Sequence, residues 1–264
     1  MSYEKFADGK YFFYENDSHG KTSMASQHYH NVFELYFLEK GECNYFIDDK
    51  CYEVLPGDIV LIPEGTIHKT TYGEGSHGRR LIQCSTHYIP SAVLDQLPSM
   101  LYLYRNPSIV DEVKYLLRRI ETEFTSPDGY SSEAISSYVS LLFFLLARNK
   151  NSRQVIQSGS VYATLTVNYI KNNYGSDIKL SEIARLSSVS PEHLSRVFKK
   201  ETGFGFSEYL TMVRLQKAEQ MLKSEKGRSI ASIAYECGFN DSNYFSEKFK
   251  RSYGVSPMKY KKNQ

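Results

Sequence analysis

Apolar residues in the N-terminal half come in short runs. Val32 to Leu38, Glu42 to Ile47, Ile59 to Ile62 and Leu81 to Cys84 are rich in Val, Ile, Tyr and Phe and are separated by Gly, Pro and Asp turns. Such runs predict short strands, and together they predict a small β-barrel or jelly roll. The period then changes. Asn106 to Phe124 carries Val110, Val113, Leu116, Leu117 and Ile120 at helical spacing, and Ser131 to Asn149 carries Ile135, Val139, Leu142 and Leu146 in the same way. Ser126-Pro127-Asp128-Gly129 between them is a turn. The apolar stripes of this helix pair must be covered, and packing on its own barrel is one way to do so.

Beyond Ser160 the helical period continues, and a phrase is written twice. Leu180, Ile183 and Ala184 match Ile230, Ile233 and Ala234 at an offset of 50; Leu194, Ser195, Phe198, Lys199, Gly203 and Tyr209 match Phe245, Ser246, Phe249, Lys250, Gly254 and Tyr260 at an offset of 51. This is a duplication with one residue inserted in the turn of the second copy. Each copy predicts a short helix, a tight break and a second helix. Ser190 and Asp241 are the expected caps of the second helices, Pro191 suits a first turn, and Gly203 and Gly254 suit the left-handed residue that closes a helix. Leu194, Val197 and Phe198, and later Phe245 and Phe249, form the inner faces. The outer faces are polar and basic: Glu192, His193, Ser195, Arg196, Lys199 and Lys200 in the first copy, and Ser242, Asn243, Ser246, Glu247, Lys248, Lys250 and Arg251 in the second. That pattern is a helix-turn-helix, whose second helix enters the major groove of DNA. Ser207 to Lys223 lacks Gly and Pro and predicts one continuous helix of about 25 Å, enough to hold two recognition helices near one duplex turn of about 34 Å.

Charge sharpens this division. The 264 residues carry a net charge of only +2, but residues 1–157 hold 15 Lys/Arg against 20 Asp/Glu (net −5) and residues 158–264 hold 17 against 10 (net +7). A basic half beside an acidic one predicts a polyanion partner for one domain only. Four cysteines, Cys43, Cys51, Cys84 and Cys237, show no C-x-x-C spacing and read as buried free thiols. The longest apolar run, Tyr138 to Ala147, falls short of the roughly 18 residues of a membrane span. The polar, acidic start of the chain shows no secretory signal, so no membrane partner and a cytoplasmic location are expected.

The tract from Val161 to Lys261, with IKLSEIARLSSVSPEHLSRVFKKETGFGFSEYL and SIASIAYECGFNDSNYFSEKFKRSYGVSPMKY, resembles the DNA-binding domain of AraC/XylS-type transcription regulators. It includes the string A-x-x-x-G-F-x-x-x-x-Y-F-x-x-x-F-K-x-x-x-G-x-x-P, here Ala234 to Pro257. The resemblance implies that Glu192, His193, Ser195 and Arg196, then Ser242, Asn243, Ser246 and Glu247, read base edges. Arg pairs with guanine, Asn with adenine, and Glu accepts from the cytosine amino group. Lys199, Lys200, Lys250 and Arg251 are expected on phosphates, which position without specifying.

In the N-terminal half, H-x-H-x-x-x-E-x-x-x-x-x-x-G (His28, His30, Glu34, Gly41) resembles the first cupin motif. G-x-x-x-x-x-P-x-G-x-x-H (Gly57, Pro63, Gly65, His68) resembles the second, with Tyr72 in place of its terminal Asn. Strand alternation puts His28, His30 and Glu34 on one face. The resemblance implies that these residues and His68 converge inside a barrel, where they either hold a divalent transition metal (Zn, Mn, Fe, Ni or Cu) or line a sensor pocket without metal. Tyr36, Tyr45, Tyr52 and Gln83 add polar groups, and a small sugar-like effector is the expected ligand on the family resemblance.

The expected fold is therefore multidomain α+β: residues 1–150 a cupin-like barrel with its helix pair, 151–160 a linker, and 161–264 an all-α tandem helix-turn-helix domain. The expected function is a non-enzymatic, sequence-specific DNA-binding regulator, an activator or a repressor, that responds to an effector and has RNA polymerase and a second copy of itself as further partners. Two alternatives stand beside it, a cupin metalloenzyme with a basic accessory domain and an architectural DNA binder without an effector.

Overall fold

The structure is a computed structural model that describes residues 11–20, 30, 32–97, 100, 102–149, 156–157, 160–225 and 227–262. The chain divides into two compact units, Met1–Gln157 and Ser158–Gln264. In the first, strands β1 (Phe12–Gly20), β2 (Phe33–Lys40), β3 (Cys43–Ile47), β4 (Lys50–Val54), β5 (Ile59–Ile62), β6 (His68–Tyr72) and β7 (His77–Cys84) are followed by a short helix α1 (Ser91–Leu94) and β8 (Leu103–Tyr104). Helices α2 (Val110–Thr125) and α3 (Ser131–Arg148) come next, and β9 (Ile156–Gln157) ends the unit. The strands make two antiparallel sheets, ordered β1-β7-β2-β5-β8 and β6-β3-β4-β9. Ile156–Gln157 lies in the stretch expected as a linker; it instead pairs with Cys51 and Tyr52 at the edge of the second sheet.

β2 is buried on both sides, which explains its unbroken apolar run. Leu35 and Phe37 face outward with Phe12, Leu61, Ile82 and Cys84 and pack beneath Val113, Leu116, Leu117, Ile120, Ile135, Val139, Leu142 and Phe143. The helix pair thus covers its own sheet. Tyr36 and Leu38 face inward with Tyr45, Ile47, Tyr52, Val60, Ile62 and Leu81 and fill the space between the sheets. Arg80 fastens the sheet to α2: its Nε lies 2.7 Å from Glu39 and its NH1 2.6 Å from Glu121.

The second unit holds α4 (Val161–Asn173), α5 (Leu180–Leu186), α6 (Pro191–Thr202), α7 (Phe206–Ser224), α8 (Ile230–Glu236), α9 (Ser242–Tyr253) and α10 (Pro257–Lys262). The caps are those expected. Ser190 Oγ accepts from His193 N, Asp241 Oδ1 from Asn243 N and Tyr244 N, and Gly203 and Gly254 end α6 and α9 at φ 75° and 76°. The duplicated aromatics make matching contacts. Phe198 meets Tyr209 edge-on at 5.7 Å and 80°, and Phe249 meets Tyr260 at 5.4 Å and 76°.

A second contact ties the two repeats together. From α7, Arg214 Nε donates to Tyr174 O and its NH2 to Ser176 O, both at 2.8 Å, while its guanidinium lies 6.0 Å from the Phe239 ring. The turn after α4 therefore rests on the turn after α8. Gly238 makes this approach possible, with φ +83°; a Cβ there would stand 2.6 Å from Tyr174 O and 2.8 Å from Arg214. Gly238→Ala is expected to destabilise the helical unit by about 1–3 kcal/mol through strain at positive φ and backbone collision. Gly227→Ala, which meets nothing within 4 Å, should cost far less. Urea denaturation followed by far-ultraviolet circular dichroism checks the difference.

Candidate nucleic-acid interface and barrel cluster

α6 and α9 show the same side of the repeat to solvent. On α6, Glu192, Ser195, Arg196, Lys199 and Lys200 are exposed. His193 is half-buried, edge-on to Tyr162 at 5.9 Å, with its Nδ1 3.3 Å from Arg196 NH2. Backbone and Ser190 hydrogen bonds at the helix start hold the Glu192 carboxyl below its ordinary pKa, so it stays an ionised acceptor. On α9, Asn243, Glu247, Lys250 and Arg251 are exposed, whereas Ser242 and Ser246 are half-buried and Ser246 Oγ donates to Ser242 O at 2.8 Å. Sequence reasoning passed over Tyr244. It is 48 % exposed on the outer face of α9, with Lys248 Nζ 5.2 Å from its ring centre. The register of the repeat was the available signal, because the offset of 51 makes Tyr244 the counterpart of His193 and Asn243 that of Glu192.

In the barrel, β2 carries Glu34 on the inward face and the antiparallel partner Gln83 stands opposite on β7. Glu34 is fully buried. Its Oε2 lies 3.0 Å from His30 Nε2 and accepts from Gln83 Nε2 at 2.9 Å; its Oε1 accepts from Tyr45 OH at 3.1 Å and lies 3.8 Å from His68 Nε2. The chain also orients both imidazoles. His30 Nδ1 lies 2.8 Å from Val32 O and His68 Nδ1 2.8 Å from Thr66 O. A carbonyl only accepts, so each Nδ1 carries a proton and each Nε2 turns toward the carboxylate. Burial works against charge on Glu34 and on His30, but their mutual hydrogen bond and attraction win: Glu34 is held well below, and His30 above, its ordinary pKa, with His68 also holding Glu34 down.

One ligand atom from each of His30, Glu34 and His68 lies within 4.8 Å of the others. Two imidazole nitrogens and a carboxylate, with the far ring nitrogens held by carbonyls, fit a divalent first-row transition metal. The same geometry suits a proton shared by the His30 and Glu34 pair. His28, the expected fourth member, lies outside the described residues. Tyr72, at the place of the motif's Asn, hydrogen-bonds Tyr36 OH at 3.1 Å and stacks on His77.

Comparison with known proteins agrees with both halves. A model of the AraC-like ligand binding domain matches residues 12–143, and a model of the helix-turn-helix domain matches residues 183–263. The chain belongs to the AraC family of transcription regulators. Among curated relatives, the HTH-type transcriptional activator RhaS of Escherichia coli strain SE11 is 23 % identical over 241 residues, 88 % of this chain and 85 % of RhaS. Among solved structures, the C-terminal domain of AraT, a response regulator from Geobacillus stearothermophilus, is 34 % identical over 41 % of this chain and 89 % of its own, with a TM-score of 0.39. ToxT from Vibrio cholerae is 17 % identical over 96 % of this chain and 97 % of its own, with a TM-score of 0.40. The AraC-family chain is thus a DNA-binding regulator with a ligand-binding domain, and none of its described helices is long and apolar enough to cross a membrane.

Because Glu34 is the common partner of four side chains in a closed interior, Glu34→Ala is expected to destabilise the barrel by about 3 kcal/mol or more. Glu34→Gln, which keeps an acceptor for Tyr45, should cost less. Denaturation followed by tyrosine fluorescence reports this, since the chain has 22 Tyr and no Trp.

Proposed function

We propose that this AraC-family chain is an effector-responsive, sequence-specific transcription regulator whose two unlike recognition helices read one asymmetric operator. The observation that carries the reading is the pair of capped, basic-faced helices held by matching Phe–Tyr contacts. Glu192, His193, Ser195 and Arg196 on one helix and Ser242, Asn243, Ser246 and Glu247 on the other read base edges in this proposal; Lys199, Lys200, Lys250 and Arg251 bind phosphates. The exposed members support direct readout. Half-buried Ser242 and Ser246 support a shallower role, and Tyr244 joins the reading face. A small sugar-like effector in the barrel biases this interface, and activation through RNA polymerase is favoured by the naming of RhaS as an activator. Pairing of two chains is supported by Tyr115, Leu141 and Phe144, large apolar side chains exposed on α2 and α3.

Gel retardation of the chain's own upstream DNA at physiological salt should show binding at least about a thousandfold tighter than to unrelated DNA, and equal affinity for both would sink the reading. Arg196→Ala should cost about 1–3 kcal/mol and relax preference at one base pair, whereas Lys199→Ala should weaken all sequences alike and reduce the salt slope by about one.

A metal-loaded barrel is a second reading, favoured by the convergence of His30, Glu34 and His68. When bound, the metal would supply a fixed positive charge at the carboxylate. Elemental analysis of the purified chain should then give about one divalent metal per chain, with loss in His30→Ala and a lower melting temperature after chelation. A metal-free chain with an unchanged melting temperature would leave the proton-shared form.

A further inference from the structure

Where α6 carries Arg196, the second repeat carries Glu247 on α9, and the contacts around Arg196 show how the first repeat uses it. Its NH2 lies 3.3 Å from His193 Nδ1, about one helical turn nearer the start of α6. A guanidinium only donates, so Nδ1 accepts, the ring is neutral and its proton is on Nε2. His193 is thereby fixed as an N–H donor, and Arg196 keeps the rest of its planar fork for a partner outside the chain.

The imidazole is held from other sides as well. His193 N donates to Ser190 Oγ at 3.1 Å, and the Tyr162 ring meets the imidazole edge-on at 5.9 Å and 90°. Tyr162 is placed by the start of α4: its N donates to Ser160 Oγ at 3.1 Å, and Ser160 N donates at 2.6 Å to Glu201 Oε2, in the last turn of α6. α4 precedes the first helix-turn-helix unit, yet its first turn touches the recognition helix near both ends. In the second repeat the offset of 51 puts Tyr244 at the place of His193. Tyr244 packs on Phe239, ring centres 6.3 Å apart, and Glu247 is exposed. There the face offers an acceptor where the first repeat offers donors.

Bases differ in what they show to such a pair. In the major groove guanine has two acceptors, O6 and N7; adenine and thymine have one each, N7 and O4; cytosine has only its amino donor. A fork seated on guanine leaves the His193 Nε2–H for the next base of that strand, and every base but cytosine can accept from it. We propose that His193 and Arg196 act as one two-donor reader, oriented by Tyr162, that selects a guanine whose neighbour on the same strand is not cytosine, and that α9 lacks this preference because Tyr244 and Glu247 replace the pair. This rests on the regulator reading above and adds the bases chosen and a positioning residue outside the helix-turn-helix.

The test selects DNA with the full chain from duplexes randomised over two helical turns, then measures gel retardation of the enriched sequence and its single-base variants. Arg196→Ala marks the base pair that the fork reads. The wild-type chain should require guanine there and disfavour cytosine at one neighbour by about tenfold or more. His193→Phe keeps a ring against Tyr162 but loses both nitrogens. It should admit cytosine at that neighbour and lower the guanine preference about tenfold, with the salt slope unchanged, because a neutral donor releases no counterion. His193→Gln, whose amide accepts from Arg196 and donates outward, should restore much of both. Tyr162→Leu should relax the same two base pairs, whereas a merely structural role would weaken all sequences alike. Cytosine tolerated by the wild-type chain, an unchanged preference in His193→Phe, no difference between His193→Phe and His193→Gln, or uniform weakening in Tyr162→Leu would each overturn the oriented donor pair and leave specific binding standing. A wild-type chain that enriches no sequence removes the regulator reading and the pair with it.

Discussion

The DNA-binding half depends on one contact made twice. Phe198 and Phe249 are fully buried on the inner sides of α6 and α9, and each meets a Tyr of the following helix at nearly the same distance and angle. An edge-to-face pair of this kind holds a helix against rotation about its own axis. Rotation is what a recognition helix cannot tolerate, since one residue of slip turns about 100° of surface away from the groove. With orientation set by the repeat and mutual spacing set by Arg214 across Gly238, the exposed residues on either helix can differ freely without disturbing the frame. Tyr260 is tied further, its hydroxyl donating to Glu219, which in turn lies 2.5 Å from Lys223 Nζ.

The barrel solves a different problem. Its interior is apolar in the middle, with Tyr36, Leu38, Val60, Ile62 and Leu81, yet it carries Glu34, His30 and His68 in one region and Arg79, His77 and Asp17 in another. Buried ionisable groups survive only when partnered, and the partners here come from strands remote in sequence or from the facing sheet: Gln83 and Tyr45 on Glu34, Glu15 and Asp17 on Arg79. Such groups weaken a core relative to apolar packing. In the proposed function these groups are what the ligand-binding domain offers to a ligand.

Legibility followed the range of the interactions. The helical unit was readable almost to the residue because caps, closing glycines and apolar stripes act within a turn or two: Ser190, Asp241, Gly203 and Gly254 sit where their local chemistry puts them. The barrel was readable only where strands are apolar. β5 was found whole and β2 nearly so, while β1, β4, β6 and the first half of β7 went unread. His68-Lys-Thr-Thr-Tyr and His77-Gly-Arg-Arg carry polar residues on the inward face, which removes the alternation a strand normally shows. The same residues that hid these strands build the polar groups inside the barrel. Tyr244 was passed over for another reason: its outward direction follows from the helix phase set by Phe245 and Phe249, and a Tyr in an aromatic-rich string reads as core.

By itself the amino-acid sequence determined the family, the duplicated helix-turn-helix units, the division into an acidic and a basic half, and the residue types of the His30, Glu34 and His68 cluster. These rest on local periodicity, capping and spacing, which survive in a linear string. Tertiary structure alone decided that the helix pair covers its own sheet, that Gln83 and Tyr45 complete Glu34, that Arg214 locks one turn on the other, and that Arg79 lies inside the barrel between two carboxylates. Each of those joins residues about 40 to 110 positions apart or crosses between sheets. Their energies depend on a proximity and a loss of water that exist only once the chain has closed on itself.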